Sequence, residues 1–256
     1  MATRTDPGRV RPHNQDCVHT NPQQHLFVLA DGVGGHAGGE VASRLAVDTI
    51  DRELLRSTRR KRSWPYRTAA VPNLRSLTEA VLAAHRALLD RARVHPELKG
   101  MGCTVVAGCL LEDQCLCVAV GDSRLYRLRE GRLEQITEDQ TLARRLLSEG
   151  FLEPGDRRLA RYEHVLTAVL GGETQPEVQQ YRFPLQGDDL LLACSDGLSD
   201  MLSAQQIAAI IGDAPNPDDS ARRLVEEAKL AGGRDNISVI VIGPRQGAAA
   251  DGHAQT

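Results

Sequence analysis

Two long stretches of the chain carry apolar residues at helical spacing. The first starts at Gly39 and the second at Leu74, and in each the apolar side chains recur every three or four positions. This spacing lines them up on one face of an α-helix, so both stretches are predicted to be amphipathic helices with a buried side. The two stripes are Ala42, Leu45, Ala46, Ile50 and Leu54 in the first stretch and Leu74, Leu77, Val81, Ala84 and Leu88 in the second.

Residues 104–137 have a different pattern, in which short apolar runs alternate with polar turns. Their sequence is TVVAGCLLEDQCLCVAVGDSRLYRLREGRLEQIT, with turns at EDQ, GDS and EGR. Turns this short cannot contain a crossover helix, so consecutive strands are predicted to be antiparallel neighbours. We therefore expect a β-meander in this region.

The remaining sequence predicts further helices and strands. Residues 140–149 predict a helix that ends at Gly150, and residues 151–163 form an irregular Arg-rich stretch. The runs YRFPL and DLLLACSDG predict two strands, and helices near 203–211 and 217–230 precede a last strand, ISVIVI. Antiparallel strands combined with helices that cover sheet faces indicate the α+β class, and they disfavour a doubly wound parallel sheet.

Composition excludes several classes of protein. A length of 256 residues suits one large domain or two small ones, and no break in composition favours two. The net charge of -3 gives no general attraction to nucleic acid, and no apolar run approaches the ~20 residues of a membrane span. Because the first residues also lack a signal-peptide core, we expect a cytoplasmic protein without nucleic-acid or membrane partners. The six cysteines form no CxxC pair, which disfavours a thiolate metal site.

A glycine-rich loop after the apolar run LFVLADG suggests two alternatives. Gly32, Gly34 and Gly38 are spaced nearly as in a dinucleotide-binding fingerprint, and Asp51 lies roughly where such a fold has a ribose-binding acid. Against this, Asp31 would place a carboxylate beside the pyrophosphate, and the repeated βαβ units of such a fold are missing. A nucleotide-binding oxidoreductase is therefore the weaker alternative.

Four aspartates stand where apolar strands begin or end. FVLADG, VAVGDS and LLACSDG end with Asp31, Asp122 and Asp196 near their last positions, and Asp235 precedes the last strand in GGRDN. Taken singly, an aspartate in such a position most often only forms a turn. If they meet at one rim of packed sheets, their carboxylates repel one another strongly unless a cation is present. A ligand set of oxygens alone favours Mg²⁺ or Mn²⁺ over Zn²⁺.

Eight motifs follow one another in a fixed order: VRPHNQD, ADGVGGHAGGEVAS, GMGCT, VGDSRLY, ITEDQT, VLTAVLG, CSDGLSD and GGRDNISVIV. Together they closely resemble the metal-dependent Ser/Thr protein phosphatases, the PPM or type 2C family, in their compact bacterial form. The resemblance covers about residues 3–243 and implies one phosphatase domain. The small and polar residues 244–256 predict a flexible C-terminal tail. The resemblance also implies two packed antiparallel β-sheets flanked by α-helices, in the four-layer order α-β-β-α, with a dinuclear metal centre at one edge.

The resemblance implies the ligands of this metal centre. Asp31 would bridge two Mn²⁺ or Mg²⁺ ions, and the carbonyl oxygen of Gly32 would ligate one of them. Asp196 and Asp235 resemble the direct ligands of the other ion, and Asn236 would support this ligand shell. A carbonyl oxygen approaches an ion closely only where no side chain crowds it, which accounts for a glycine after Asp31.

Three further residues acquire roles from the resemblance. Asp122 and Asp200 resemble residues that hold a third, more weakly bound ion in bacterial members. Arg11 matches the family's phosphate-binding arginine, whose guanidinium can hold two phosphoryl oxygens at once. Two ions that share an oxygen would make a hydroxide from water near neutral pH, so that no phosphoenzyme is needed.

The sequence departs from the family at two positions. Val33 stands where eukaryotic members often have a histidine proposed as a general acid, and His36 is nearby. Gln15 stands where the family commonly has a glutamate that holds metal-bound water, which leaves Asp16 as an outer acid. We expect a neutral Gln15 to lower the affinity for the second ion.

The predicted function is therefore hydrolysis of phosphoserine and phosphothreonine in proteins, opposing a bacterial Ser/Thr kinase. A catalytically weak, phosphoprotein-binding regulatory module is the alternative, and Gln15 motivates it. The Arg-rich region 144–161 corresponds to the family's variable flap, and either recognises acidic or phosphorylated surfaces or is a solvated loop. Nothing in the sequence argues against a monomer.

Overall fold

The computed structural model describes residues 1–33, 38–60 and 72–243. Predictions for Gly34, His36 and the tail 244–256 lie outside these residues. The strands are β1 Ala2–Asp6, β2 Asp16–Asn21, β3 Leu26–Val33, β4 Gly102–Cys103, β5 Val105–Leu110, β6 Gln114–Val120, β7 Arg124–Arg129, β8 Arg132–Gln135, β9 Gln179–Pro184, β10 Leu190–Cys194 and β11 Ile237–Ile242. The α-helices are α1 Gly38–Arg60, α2 Leu74–Val94, α3 Leu142–Ser148, α4 Asp196–Ser199, α5 Ala204–Asp213 and α6 Pro217–Leu230.

The strands form two antiparallel sheets. The first sheet has the order β1-β11-β10-β7-β8, and the second has the order β2-β3-β5-β6-β9, with the short β4 paired to β3. Each sheet thus combines strands from both halves of the chain. Sequence-distant segments are therefore brought side by side, which is what a site at the strand ends requires.

Strands with both faces buried divide their side chains between two apolar layers. In β3, Leu26, Val28 and Ala30 pack with α1 and α2, while Phe27 and Leu29 point into a layer between the two sheets. This follows from the two-residue period of a strand, in which successive side chains face opposite sides.

The last strand, β11, shows the same division on the other side of the molecule. Val239 and Val241 pack with α5 and α6, while Ile240 and Ile242 enter the layer between the sheets. The layers therefore follow the order α-β-β-α, and the predicted α+β sandwich of two antiparallel sheets flanked by helices is confirmed.

Local sequence defines where the helices begin. The side chain of Asn73 accepts a hydrogen bond from the backbone N–H of Ser76 and caps α2, and Ser203 caps α5 in the same way through Gln206. Such caps satisfy backbone N–H groups that the first helical turn leaves unpaired. Pro217 occupies the first position of α6, where a missing N–H costs nothing.

The predicted meander over residues 104–137 is wrong at one turn. β5 and β6 pair, and β7 and β8 pair, but β6 belongs to the second sheet and β7 to the first. The turn at residues 121–123 carries the chain between the sheets, with Gly121 at φ +100° against the side chain of Thr104. Turn length shows that no helix intervenes, but it does not distinguish a hairpin from a change of sheet.

Two strands near the N-terminus were not predicted. β1 pairs along its whole length with β11, and β2 pairs with β3 so that Asp16 lies opposite Asp31. Neither strand has a continuous apolar face, and the residues of β1 are exposed or half-buried. Pairing with another strand therefore forms each of them: β1 with the distant β11, and β2 with β3, the next strand along the chain. Within the described ranges, no helix has the length and apolar character needed to cross a membrane.

Candidate active site

The ends of strands from both sheets meet at one edge of the sandwich. Asp31 lies near the end of β3, and Asp122 lies in the turn that joins the sheets. Asp196 begins α4 directly after β10, and Asp235 lies just before β11. The four aspartates that the sequence places at strand termini are thereby collected in one cleft.

This cleft has a volume of about 1050 Å³ and contains most of the predicted site. Asp16 lies outside its lining and is buried instead. The predicted residues that line the cleft are Arg11, Gln15, Asp31, Gly32, Asp122, Asp196, Asp200, Asp235 and Asn236.

Like charges crowd the floor of the cleft. Burial raises the pKa of Asp31 well above its ordinary value, and the neighbouring Asp16, Asp196 and Asp122 raise it further. Burial likewise raises the pKa of Asp196 to about 6, with the charges of Asp200 and Asp235 adding to the effect. Without a cation, these carboxylates cannot all be ionised at low cost near neutral pH.

Two further carboxyl groups behave in the same way. Burial raises the pKa of Asp122 to about 7, with a contribution from the charge of Asp196. Burial also raises the pKa of Asp16 to about 6, although hydrogen bonds with Ser238 and Ser195 lower it in part. Raised carboxyl pKa values in a cleft are typical of functional sites.

Asp16 lies beneath the cleft in a small polar network. The hydroxyl of Ser195 donates to Asp16 Oδ2 at 2.8 Å and accepts from the backbone N–H of Ser238 at 3.0 Å. The other oxygen, Asp16 Oδ1, is buried without a hydrogen-bond partner. An orphaned buried oxygen beside crowded carboxylates is suited to a water or cation that the protein atoms do not supply.

These residues fit hard divalent cations. Asp31, Asp196 and Asp235 offer oxygen atoms only, and the excess negative charge would be relieved by bound cations. Ligand atoms of these three aspartates do not all come within 4.8 Å of one another, so the three would suit two ions rather than one.

Gly32 is required by close packing of the backbone. A Cβ atom on Gly32 would lie 2.2 Å from the carbonyl oxygen of Gly39 in α1 and 2.6 Å from that of Gln15. The Gly32 N–H donates to the Gln15 carbonyl at 3.1 Å, so the segment before β2 is joined to β3 here. Absence of a side chain thus lets α1, β3 and the segment before β2 meet at the cleft.

Arg11 reaches the cleft from the loop between β1 and β2. Its guanidinium donates to Asp235 Oδ2 at 2.6 Å, and this bond raises the pKa of Arg11. Both partners are partly exposed, with side-chain exposures of 54% and 37%. The pair therefore lies at the mouth of the cleft, within reach of an incoming ligand.

Asn236 joins the loops around the cleft. Its side-chain amide donates to the carbonyls of Pro7 and His13 at 3.0 and 2.9 Å, and its side-chain oxygen accepts from the Gln15 N–H at 2.8 Å. These bonds fix the loop that carries Arg11 relative to the turn that carries Asp235. The supporting position predicted for Asn236 thus has a definite set of partners.

Sequence reasoning missed several residues of the cleft. Thr104 lies in the motif GMGCT, and its hydroxyl contacts both the N–H of Asp31, at 3.3 Å, and Ser123. Arg234 lies in GGRDN and lines the cleft. His164 also lines the cleft but belongs to no motif with a recognisable role, so only its position in space reveals it.

Comparison with known proteins decides the family. A family model described as protein phosphatase 2C matches residues 9–227 of this chain. This chain belongs to the protein phosphatase 2C family. The predicted family is therefore confirmed, and the metal dependence of this family agrees with the crowded carboxylates of the cleft.

Relatives within the 2C family match almost the whole chain. The serine/threonine phosphatase stp of Listeria monocytogenes (serovar 1/2a) is 33% identical over an alignment of 245 residues, and the match covers 93% of each protein. The crystal structure of the Mycobacterium tuberculosis serine/threonine phosphatase PstP/Ppp has a TM-score of 0.80 and 34% identity, covering 94% of this chain and 96% of that one.

A second solved structure includes metal. The catalytic domain of PstP in complex with two manganese ions has a TM-score of 0.78 and 35% identity, covering 94% of this chain and 95% of that one. The predicted enzyme class, a protein-serine/threonine phosphatase, is confirmed by these 2C relatives. The residue roles in the cleft stay predictions.

Proposed function

We propose that this protein hydrolyses phosphoserine and phosphothreonine in proteins with the help of two Mn²⁺ or Mg²⁺ ions. One observation carries the proposal: carboxylates from three separate segments meet in one cleft beside a partly exposed guanidinium. These residues are Asp31, Asp196, Asp235 and Arg11. We assign the three carboxylates and the carbonyl oxygen of Gly32 as ligands, following the family resemblance.

Arg11 is proposed to bind the phosphoryl group. When bound, the two metal ions would supply Lewis acidity that activates a water molecule as the nucleophile. The Arg11 guanidinium can donate two parallel hydrogen bonds to phosphoryl oxygens and offset the charge that develops on them. Its present partner, Asp235, is a partly exposed carboxylate, so exchanging that partner for phosphate costs little.

The cysteines of the chain do not suit a phosphoenzyme mechanism. None of them lines the cleft, and five of the six are buried. Burial raises the pKa of Cys194, which precedes Asp196 by two residues, to about 12, so that its thiol stays protonated. A thiolate nucleophile would need the opposite environment. Attack by water is consistent with this arrangement.

Val33 lines the cleft and has no proton to give to the leaving oxygen. We therefore assign protonation of the leaving serine or threonine oxygen to water in the open cleft.

The alternative function is a catalytically weak, phosphoprotein-binding regulatory module. It rests on Gln15, whose neutral amide adds no charge beside the carboxylates. That module would bind a phosphothreonine peptide with negligible turnover at saturating Mn²⁺, and Gln15→Glu would restore turnover.

The proposed partners follow from the reaction. Phosphoproteins are the substrates, and a Ser/Thr protein kinase supplies them. We propose that the protein acts as a monomer. We also propose that Asp122 and Asp200 contribute to a third cation site beside the two main metal ions. A role of the Arg-rich segment 144–161 in binding acidic surfaces stays a prediction, because Arg145 and Arg158 are paired with Glu149 and Asp156 in the structure.

A phosphatase assay tests the proposal directly. The full chain is incubated with a phosphothreonine peptide in Mn²⁺, in Mg²⁺ and in a chelator, and phosphate release is measured. We expect turnover with either ion, none in the chelator, and a loss of at least about a hundredfold in Asp196→Asn. Asp213→Asn, at an exposed aspartate on α5, is the matched control and should be fully active. Metal-independent turnover would refute the mechanism.

A further inference from the structure

A histidine and two aspartates form the tightest group of ligand atoms in the described part of the chain. One ligand atom each from His164, Asp196 and Asp200 lies within 4.8 Å of the other two. His164 Nδ1 is 3.6 Å from Asp200 Oδ2, which is too long for a direct hydrogen bond. Two ligands of one octahedral ion are about 3 Å apart when adjacent and about 4 Å apart when opposite, so small shifts bring all three atoms to one cation.

The backbone around His164 is held in place. The N–H of Leu142 donates to the Val165 carbonyl at 2.7 Å, and the N–H of Ala143 donates to the Tyr162 carbonyl at 3.2 Å. Both bonds tie residues 162–165 to the first turn of α3, on either side of His164. The imidazole therefore starts from a fixed backbone rather than from a free loop, which favours a preorganised site.

The group lies at the junction of two cavities. His164, Asp196 and Asp200 line the main cleft and also an adjoining pocket of about 470 Å³. Asp122 lines both cavities as well, and it is 8% exposed. A cation at this junction is open to solvent on two sides and is surrounded by three carboxylates. Such a cation could enter and leave without disturbing the floor of the main cleft.

We propose that His164 is a direct ligand, together with Asp200 and one oxygen of Asp196, of a divalent cation at this junction, and that its imidazole makes the site prefer Mn²⁺ to Mg²⁺. Mg²⁺ favours oxygen ligands, whereas imidazole suits transition metals. The family resemblance assigns only carboxylates, Asp122 and Asp200, to a third ion. The nitrogen ligand and the resulting metal preference come from the position of His164 in this chain.

Such a site would join the segment after α3 to the catalytic cleft. Residues 151–164 contain the exposed arginines Arg157, Arg158 and Arg161 and end at the proposed cation ligand His164. Binding of the cation would hold this segment against α4, which begins at Asp196 and is followed directly by Asp200. Occupancy of the site by Mn²⁺ would thereby order one wall of the cleft.

Mn²⁺ binding measured by electron paramagnetic resonance tests the proposal. The full-length, metal-free protein is titrated with Mn²⁺, and the signal of free Mn²⁺ gives the number of bound ions and their Kd values. We expect His164→Ala to raise the Kd of the weakest bound Mn²⁺ at least about tenfold and to leave the tighter ions unchanged. His164→Asp keeps a ligand but replaces nitrogen with oxygen, so Mg²⁺ should compete severalfold better for this site than in the natural protein.

His13→Ala is the control, because His13 is a second exposed histidine of the same cleft. It should leave every Kd unchanged. His164 is 63% exposed, so these variants are expected to fold. An unchanged weakest Kd in His164→Ala, or equal Mg²⁺ competition in His164→Asp and the natural protein, would overturn the proposal.

Limited proteolysis gives an independent measurement. Mn²⁺ should slow tryptic cleavage after Arg157, Arg158 and Arg161 in the natural protein but not in His164→Ala, and equal protection would contradict a His164 ligand. Neither measurement uses a phosphorylated substrate. Inactivity towards phosphopeptides would therefore refute the proposed function without touching this site, and the converse also holds.

Discussion

At the scale of single residues, the cleft holds more negative charge than its surroundings can stabilise. Burial raises the pKa values of Asp31, Asp196 and Asp122, and in each case the charges of neighbouring carboxylates add to the rise. One guanidinium, that of Arg11, pairs with a carboxylate at the mouth of the cleft. The carboxylates proposed to bind cations and the guanidinium proposed to bind phosphate therefore lie at different depths of the cleft.

Arg11 is expected to act on substrate rather than on stability. Arg11→Ala should lower kcat/KM for a phosphothreonine peptide by about a hundredfold, because it removes a charged donor to the phosphoryl oxygens. It should change the free energy of unfolding by less than about 1 kcal/mol, since the pair with Asp235 is partly exposed. Steady-state kinetics and urea unfolding measure the two effects.

Arg11→Lys is the informative companion to this variant. A lysine keeps the charge but cannot donate two parallel hydrogen bonds, so it should restore only part of kcat/KM. Full activity in Arg11→Ala would show that the arginine does not contact the phosphoryl group. A large loss of stability would assign it a structural role instead.

At the scale of elements, the site is formed by strand ends and by the turns that join the two sheets. The turn at residues 121–123 places Asp122 at the edge because it crosses from the second sheet to the first. Ser195, at the end of β10, donates to Asp16 on β2 and so joins the same two sheets beneath the cleft. The edge that is proposed to bind metal is thus also the place where the sheets are linked.

Gly32 should be essential for the junction of β3 with α1. In Gly32→Ala the new Cβ would lie 2.2 Å from the carbonyl oxygen of Gly39, and only a backbone shift can relieve that overlap. We expect a loss of about 3 kcal/mol in the free energy of unfolding, measured in urea.

Gly187→Ala is the matched control for this substitution. A Cβ at Gly187 would have no atom within 4 Å, and its φ lies outside the left-handed region. The free energy of unfolding should change by less than about 0.5 kcal/mol. Similar losses in both variants would contradict the packing described for Gly32.

At the scale of the whole molecule, three apolar layers support an edge whose crowded carboxylates oppose folding. These layers bury both faces of both sheets. In the metal-free protein, repulsion among the crowded carboxylates lowers the free energy of unfolding. Cations that bind the folded state would offset this loss. Stability, pH and metal are therefore coupled in this protein.

The sign of this coupling follows from the raised pKa of Asp196. A carboxyl with a pKa of about 4 unfolded and about 6 folded adds no penalty below pH 4, a growing penalty between pH 4 and 6, and a constant penalty above pH 6. In a chelator at pH 7.5, Asp196→Asn should therefore increase the free energy of unfolding, by about 1–3 kcal/mol. At pH 4 the gain should vanish.

Unfolding in urea at both pH values measures this effect, with Asp213→Asn as the control. Saturating Mn²⁺ should reverse the order of stability at pH 7.5, because the natural protein binds the ions more tightly than Asp196→Asn. Destabilisation by Asp196→Asn in the chelator would show that this carboxylate is not under repulsion in the metal-free protein.

The sequence by itself determined the family, the α+β class and the identity of the acidic residues. These depend on local signals: the apolar period of α1 and α2, turn residues after apolar strands, and ordered motifs around Asp31, Asp196 and Asp235. The assignment of residues to α-helices and core strands needed no knowledge of distant contacts. It succeeded where one face of an element is continuously apolar.

Tertiary structure alone decided which distant segments meet. β1 has little apolar character of its own and forms by pairing with β11, more than 200 residues away, and the turn after β6 changes sheets although its sequence resembles a hairpin. His164 lies 3.6 Å from Asp200 on a segment, residues 162–165, that is hydrogen-bonded to the first turn of α3. Each of these features depends on contacts between residues far apart along the chain, and a local pattern carries no information about such contacts.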